Sequence, residues 1–526
     1  MATSGAASLL ERMILTLAPN WGLSRARARA QVSILSRHTR HYEAAAVGRR
    51  TTNWPKSGTD ANEAARSALA VLRNLARDLV RNNPWARRAQ AVIAANTVGW
   101  GIVPKPATNS GAKRVLEAWR AWGETTECDA DRRLTFYGLQ RQVMATVAES
   151  GEVLVRRRLR RPGDGLSIPL QLQLLEPDFL DISRDNNTQA SVPGGRIIGG
   201  VEFDALSRRV AYWLFDRHPG SGSVVDPVSR RIPASEIVHV YRQERPGQVR
   251  GVTWFAPVIS RLREFDEYEV ATLMRQKIAA CFAAFVTDVD GLSTGAGLGE
   301  TDSSDPLTDT LEPGLISNLP PGKQVTFANP PTVNDHQSFS AVTLRGAASG
   351  LGITYEDMTG DYSQVNFSSG RMGRLAHWAH VHDWRWNMLI PQFCDPVWGW
   401  MLEVLDTLGV KTGTSSAVWT PPPAPMIDPD KEGLALSRLV RSGAKTHDEM
   451  VREQGGDPET HWAEYAEGLK RLDKYGIILD SDPRRVTATG QVQAEKGAAV
   501  GAGAAPPKGA KEDTDAEEDT DAEEGN

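Results

Sequence analysis

Apolar residues Leu69, Leu72, Leu75, Ala76 and Leu79 recur every three to four positions. That period predicts a helix from about Asn62, with Asp60 as its candidate cap. Asn82-Asn83-Pro84 interrupts it, because proline lacks an N–H and clashes with the turn before it. A second helix carries Ala89, Val92, Ile93 and Asn96 and ends at Gly99 and Gly101. A helix at Tyr137–Glu149 then precedes short β-rich runs at Glu152–Arg158, Leu170–Leu175, Gly199–Phe203, Val210–Phe215 and Ile237–Tyr241. Pro, Gly and Asn clusters separate these runs, which describes a small β-rich domain rather than a parallel α/β sheet. The helical period returns over residues 254–287, with Val258, Leu262, Phe265, Tyr268 and Leu273 on one face. Residues 288–335 are rich in Gly, Ser, Asp and Pro, with short strands near Leu315–Ser317 and Gln324–Phe327. Ser338–Gly350 reads as helix and Tyr355–Ser369 as polar and irregular. Arg371–Leu408 reads as one long Trp-rich helix, kinked at Pro391 and Pro396. A Pro-rich link at 411–430 leads to a small helical module at 431–476.

The two ends differ from this body. Ala7–Leu17 predicts a short helix, followed by an extended arm to residue 60. Up to Arg40 the arm carries six arginines against Glu11 alone, a flexible basic arm in preference to a transit peptide. From about Val486 the chain is Ala/Gly-rich, then acidic, with a tandem repeat beginning at Glu512 and again at Glu518. Such a segment buries too little apolar surface to fold. The whole chain of 526 residues is 40% hydrophobic and 24% charged, ordinary globular composition. Its net charge of -5 argues against tight wrapping of DNA, which needs clustered Lys and Arg. Cys128, Cys281 and Cys394 fit no zinc or redox spacing and read as reduced thiols. No apolar run approaches the ~20 residues of a membrane span.

Motif chemistry yields no catalyst. His377-Trp-Ala-His380-Val-His382-Asp383 is the best metal candidate, but His380 and His382 cannot share one ion on a regular helix. An ordinary histidine cluster is the better reading. Gly291-Leu-Ser-Thr-Gly-Ala-Gly lacks a strand–helix unit around it and reads as a loop rather than a nucleotide site. The chain has no phosphate-binding Gly-x-x-x-x-Gly-Lys loop and no nucleophile elbow. Glu356, Asp357 and Asp361 lie close in sequence, as a nuclease's metal-binding acids would. No basic partners accompany them, so loop solvation is the better reading. Trp378, Trp384, Trp386, Trp398 and Trp400 suit packing better than base stacking. No cofactor or metal is expected.

The order of segments is more telling. Arg77–Ala89, Asn96-Thr-Val-Gly-Trp-Gly-Ile, Glu149-Ser-Gly-Glu-Val-Leu and Leu175-Glu-Pro-Asp resemble strings of lambda-like bacteriophage portal proteins. So do Ile232–His239, Leu351–Ser363 and Asn366-Phe-Ser-Ser-Gly-Arg. The resemblance runs over roughly residues 60 to 485. It implies an α+β portal-protein fold: a β-containing wing (61–253), stem helix (254–287), small α/β clip (288–336) and second stem helix (337–352). A tunnel-loop region (353–370), long kinked wing helix (371–410), linker (411–430) and helical crown (431–485) follow, flanked by the basic arm (1–60) and the acidic tail (486–526).

It also implies a non-catalytic subunit of a closed, dodecameric ring at one capsid vertex of a virion assembled in the host cytoplasm. Its partners would be the terminase large subunit, head–tail connector or tail completion proteins, the major capsid and scaffold proteins, and double-stranded DNA passing through the channel. No membrane is involved. By the same resemblance Asp361, Tyr362, Ser363, Gln364, Val365, Asn366 and Phe367 form the tunnel loop. Asp302, Asp305 and Asp309 lie in the acidic clip that docks terminase or connector. From Val286 to Pro313 the chain has seven acids and no Lys or Arg, a rim that would repel phosphate. The rival functions are a metal-dependent nuclease built on Glu356, Asp357, Asp361 or the His377 cluster, and a capsid shell or scaffold protein.

Overall fold

Capping and turn residues set where the helices begin. In the computed structural model Asp60 accepts a hydrogen bond from the Glu63 N–H and starts α1 (Ala61–Arg66). Asn83 closes α2 (Leu69–Asn82) and caps α3 (Pro84–Val98), accepting from the Ala86 N–H. Pro84 sits in the first turn, where its missing N–H costs nothing. The structure describes residues 27–28, 57–106, 111–185, 190–222, 227–280, 284–288, 323–327, 336–413, 416–454, 456, 458–479, 482 and 484. Residues Asp302, Asp305 and Asp309, the run from Gly291, the strand near Leu315, most of the basic arm and the acidic tail lie outside them.

The chain divides into two compact units. The larger holds α1–α3, then α4 (Ala112–Trp122) and α5 (Phe136–Ser150). Two antiparallel sheets follow. One has the order β3-β2-β8, from Leu170–Leu175, Glu152–Leu159 and Ile237–Tyr241. The other has the order β4-β5-β6-β7, from Arg196–Ile198, Val201–Phe203, Arg209–Phe215 and Ser229–Pro233. Leu154, Leu175 and Ile237 from the first sheet join Val201, Phe203, Tyr212, Leu214 and Ile232 from the second in one buried cluster. The other face of β2 turns to an aromatic core, where Trp119 meets Phe136 at 4.8 Å and Trp398 at 5.4 Å.

Helix α6 (Ile259–Ala280) leads to β9 (Ala284–Asp288), which pairs antiparallel with β10 (Lys323–Phe327). The chain returns through α7 (His336–Leu351), α8 (Tyr355–Thr359) and α9 (Phe367–Trp384). A π-helical stretch, Arg385–Cys394, joins α9 to α10 (Asp395–Thr407). In the smaller unit β1 (Val103–Pro106) pairs with β11 (Ala417–Thr420), and α11 (Pro429–Arg441), α12 (His447–Glu453) and α13 (Pro458–Tyr475) follow.

Several expectations change. The helix expected over 254–287 starts five residues later and gives way to β9, and Leu273 is 55% exposed rather than on the buried face. The single strand expected at Gly199–Phe203 is instead the second half of a hairpin turning at Gly199 and Gly200, both at positive φ. The Arg-rich β7 lacks apolar alternation and was not anticipated, nor were β1 and β11. The segment expected to be irregular contains α8. The expected kink at Pro391 is a π-helical segment, which takes up the missing backbone donor without breaking the rod. Pro396 sits in the first turn of α10, a permitted place.

One buried carboxylate ties these parts together. Glu152, fully buried, opens β2 directly after Gly151, whose φ of 91° turns the chain out of α5. Its oxygens accept from Arg250 Nε at 2.9 Å, the Gly251 N–H at 2.8 Å and His239 Nε2 at 2.9 Å. Arg73 of α2 stands 3.9 Å away. Burial pushes the Glu152 carboxyl up, but Arg250 and His239 outweigh it and hold it well below the usual range. Burial holds the His239 imidazole below its ordinary value against the pull of Glu152, and its Nδ1 has no partner, as suits a neutral ring.

Two outcomes are expected. Glu152→Ala leaves Arg250 and Arg73 buried without their carboxylate and should cost about 3–5 kcal/mol by denaturant unfolding; a loss below about 1 kcal/mol would refute the hub. Neutral His239 stabilises the fold fully above the ordinary imidazole value of about 6.5, and that contribution falls as pH drops below it. Glu152, with its depressed value, adds stability above the ordinary carboxylate value of about 4.3, lost as pH falls through the folded value. His239→Gln should therefore flatten the melting temperature between pH 7 and about 5 while leaving the acid limb; an unchanged profile would mean that the ring titrates alike in the folded and unfolded chain, and would refute its burial as a neutral group.

Candidate functional site

The segment from α8 to α9 is fastened at both ends and bare in the middle. Thr354 caps α8 by accepting from the Asp357 N–H, and Gly360 ends it at φ 74°. Arg88 of α3 donates from Nε to the Asp357 carbonyl at 2.8 Å. The positive φ at Gly360 favours glycine, and the Arg88 guanidinium stands 3.0 Å from where a Cβ on this residue would lie. Asp361 accepts from the Ser363 N–H at 3.0 Å and from the Tyr355 hydroxyl at 3.3 Å. Hydrogen bonds from Ser363 hold its carboxyl below the usual range.

Asn366 caps α9, accepting from the Ser369 N–H at 2.8 Å, while Ser369 Oγ accepts from the Asn366 N–H at 3.1 Å. The cap is therefore Asn366, with Ser369 as its reciprocal partner. Tyr362, Ser363, Gln364 and Asn366 are exposed, Val365 is half-buried, and Phe367, 56% exposed, already belongs to the first turn of α9.

Behind the loop α9 is anchored firmly. Arg385, buried, donates to the Thr97 carbonyl at 2.6 Å and the Asn96 carbonyl at 2.9 Å. It thus satisfies the free carbonyls at the C-terminal end of α3 and sits favourably at the negative end of that helix. Burial pushes its guanidinium down to about 10. His377 Nε2 lies 2.9 Å from Asn96 Nδ2, and burial lowers its imidazole.

The proposed metal chemistry finds no common centre. His377 faces Asn96, His380 stacks with Trp384, and His382 faces Trp378. Asp357 Oδ2 is 3.9 Å from His377, whereas Asp361 is turned to Tyr355 and Ser363. Trp384, Trp398 and Trp400 are buried in the fold and unavailable to bases; Trp386 is 49% exposed.

A cluster that sequence reasoning missed joins Glu176, Asp178 and His218, 42 positions apart at the extremes. Arg77 occupies it, 2.7 Å from Asp178 and 3.2 Å from Glu176, and Arg73 lies 3.2 Å from Asp178. His218 Nδ1 accepts from the Gly220 N–H, so its Nε2 carries the proton in the neutral ring and faces Glu176 without a free lone pair. The cluster is an ion-pair network. Leu175-Glu-Pro-Asp supplied the only sequence signal for it.

Comparison with known proteins completes the picture. The family described as phage portal protein, lambda family, matches residues 47–385. The probable portal protein of Halomonas phage phiHAP-1 is 26% identical over 471 residues, covering 84% of this chain and 88% of that protein. Portal protein B of Escherichia phage lambda is 24% identical over 472 residues, covering 79% and 86% respectively. Among solved structures, a chain from the neck of a native GTA particle computed with C12 symmetry is 14% identical over 73% of this chain and 94% of that one, at a TM-score of 0.42. The family match, over well over half of its length, makes the chain a member of the lambda family of phage portal proteins.

Proposed function

We propose that this portal subunit assembles into a closed ring around an axial channel through which the viral genome is packaged and ejected. In this reading it is non-catalytic and sits at one vertex of the virion. The observation that carries the ring is an apolar surface on two adjacent helices. Helices α6 and α7 pack on each other where Tyr268 meets Phe339 at 4.8 Å. Yet Val270, Leu273 and Met274 of α6 are 59%, 55% and 55% exposed, and Val342 of α7 is 65% exposed. A helix hairpin does not leave such residues in water without a partner, and a second copy of the hairpin supplies one. These helices then act as the stem, and the residues between β9 and β10, with Asp302, Asp305 and Asp309, as the acidic clip that docks the terminase or connector. None of the helices among the described residues is long and apolar enough to cross a membrane.

Leu273→Asp with Met274→Asp should leave the monomer folded, since both side chains are exposed, but weaken each subunit contact by about 2–3 kcal/mol, roughly 30–150-fold. Native mass spectrometry and negative-stain imaging read this directly. Wild-type protein that stays monomeric at micromolar concentration, or a double variant that still closes rings normally, would reject the interface.

Asp361–Phe367 is the tunnel loop in the same reading. Its exposed, mostly uncharged groups exchange hydrogen bonds with phosphates and water without gripping the duplex at one register. Ser363→Lys with Gln364→Lys, which spares the Asn366 cap, should slow packaging in a reconstituted assay while rings still form. Wild-type packaging rates in assembled double-variant rings would remove the loop from the DNA path.

A further inference from the structure

Strand β2 ends in a run of arginines whose alternation sorts them onto two faces. Arg157 turns to the helical side, pairs with Glu403 and lies 5.9 Å from the Trp400 ring. Arg156 and Arg158 project from the face that carries Glu152 and Leu154, opposite Gln173 and Gln171 of β3. Arg160 continues the row, donating from Nε to Gln171 Oε1 at 2.8 Å. Pairing with β8 stops at Arg156↔Ile237, so the row runs past the end of that neighbour.

The charges in this row have no direct ion-pair partner among the described residues. Three other arginines of the two sheets hold a carboxylate: Arg157 with Glu403, Arg230 with Asp216, Arg231 with Glu202. Among the described residues Arg156, Arg158 and Arg160 form no such ion pair, and Arg156 Nε is buried without a partner. Burial, then the flanking Arg156 and Arg160, push the Arg158 guanidinium down, with Glu236 as the opposing charge. Three like charges at two-residue strand spacing, about 6.7 Å apart, repel one another in the free protein and gain most from a repeating anion.

We propose that Arg156, Arg158 and Arg160 form a track for the phosphodiester backbone of double-stranded DNA, on an element other than the tunnel loop. This rests on the reading of the chain as a DNA-handling portal subunit and adds to it a contact on the outer surface, outside the channel. Neighbouring phosphates of one DNA strand rise only ~3.4 Å along the axis but also wind around it, so they stand roughly 7 Å apart through space and a row at about 6.7 Å meets successive phosphates in any sequence. An acidic polypeptide meets the row only if its acids alternate along an extended segment. The planar guanidinium forks and the glutamines beside them suit phosphate oxygens and read no bases.

Closed-circular plasmid cannot thread a channel, so its binding to the full-length protein reads the outer surface alone. Affinity measured by gel shift between 50 and 200 mM salt should fall steeply for the wild type. R156Q/R158Q/R160Q should weaken binding about tenfold or more at low salt and reduce the salt slope by roughly 2–3, the loss of three phosphate contacts. R156K/R158K/R160K should keep the slope, and Arg230→Gln, whose charge is already paired, should change neither. An unchanged affinity and slope in the glutamine variant would overturn the track. So would stronger binding of the row to polyglutamate than to plasmid at equal salt, which would make it a protein-docking site. Should the triple variant misfold, Arg158→Gln alone must lower the slope by about one. Imaging of the same samples separates the two readings: missing rings would sink the conduit, while plasmid binding by single chains would still stand or fall with the row.

Discussion

Glu152 is the contact on which the larger unit depends. A carboxylate placed entirely inside a protein is unfavourable unless every oxygen is answered, and here each one is. Arg250 approaches from the loop after β8, the Gly251 N–H from the same loop, His239 from β8, and Arg73 from α2. Arg250 also reaches the Gly199 carbonyl at the turn of the β4–β5 hairpin, at 2.7 Å. One side chain thereby fixes a helix, both sheets and a loop in a single register. The glycines around it are part of the same constraint. A Cβ on Gly251 would fall 2.2 Å from the Gly151 carbonyl, so the two backbones come together only because neither carries a side chain.

From this hub the order passes outward in two directions. Arg73 continues to Asp178, and Arg77 links Asp178 to Glu176 at the surface, so two arginines of α2 are paired along the edge of the first sheet. In the other direction the Tyr241 N–H of β8 donates to Gln392 in the π-helical segment at 3.0 Å, and Trp400 Nε1 donates to the Ser235 carbonyl at 3.0 Å. The long helix is therefore clamped along its second half by the sheets and, through Arg385, by the end of α3. Its first turns and the loop before them carry exposed Tyr362, Phe367, Met372 and Leu375. A rigid rear and a bare front suit an element that must present a loop at a fixed place.

The exposed apolar residues of α6 and α7 and the unpaired arginines of β2 are complementary signs of incompleteness. A monomer that buries Trp119 and Trp122 fully does not lack the means to cover Leu273 or Val342; it leaves them uncovered. Likewise a chain that pairs Arg157, Arg230 and Arg231 with acids leaves Arg156 and Arg158 without any. The first sign points to other copies of the chain, the second to a polyanion.

Local pattern settled much of the architecture. Leu170–Leu175 and Ile237–Tyr241 stand as strands at the bounds their β-rich runs predicted, because strand-forming side chains and flanking turn residues act within a few positions. Asn83-Pro84 likewise marks the α2–α3 junction, and the order of short strings placed the chain among lambda-like portals. Periodicity could not say which helix face would be covered: α6 reads as amphipathic through Leu273, yet its own chain covers that face only as far as Thr272. Nor could it find β7, whose arginines gain their place only from pairing with β6. The Glu152 hub was visible only as part of a resembling string, since its partners lie 79 to 99 positions away and no local rule joins them. The sequence by itself determined most of the elements and the family, because both are written in neighbouring residues. Tertiary structure alone decided which charges are paired, which are left open and which apolar faces await a partner, because each of these depends on groups brought together from distant parts of the chain.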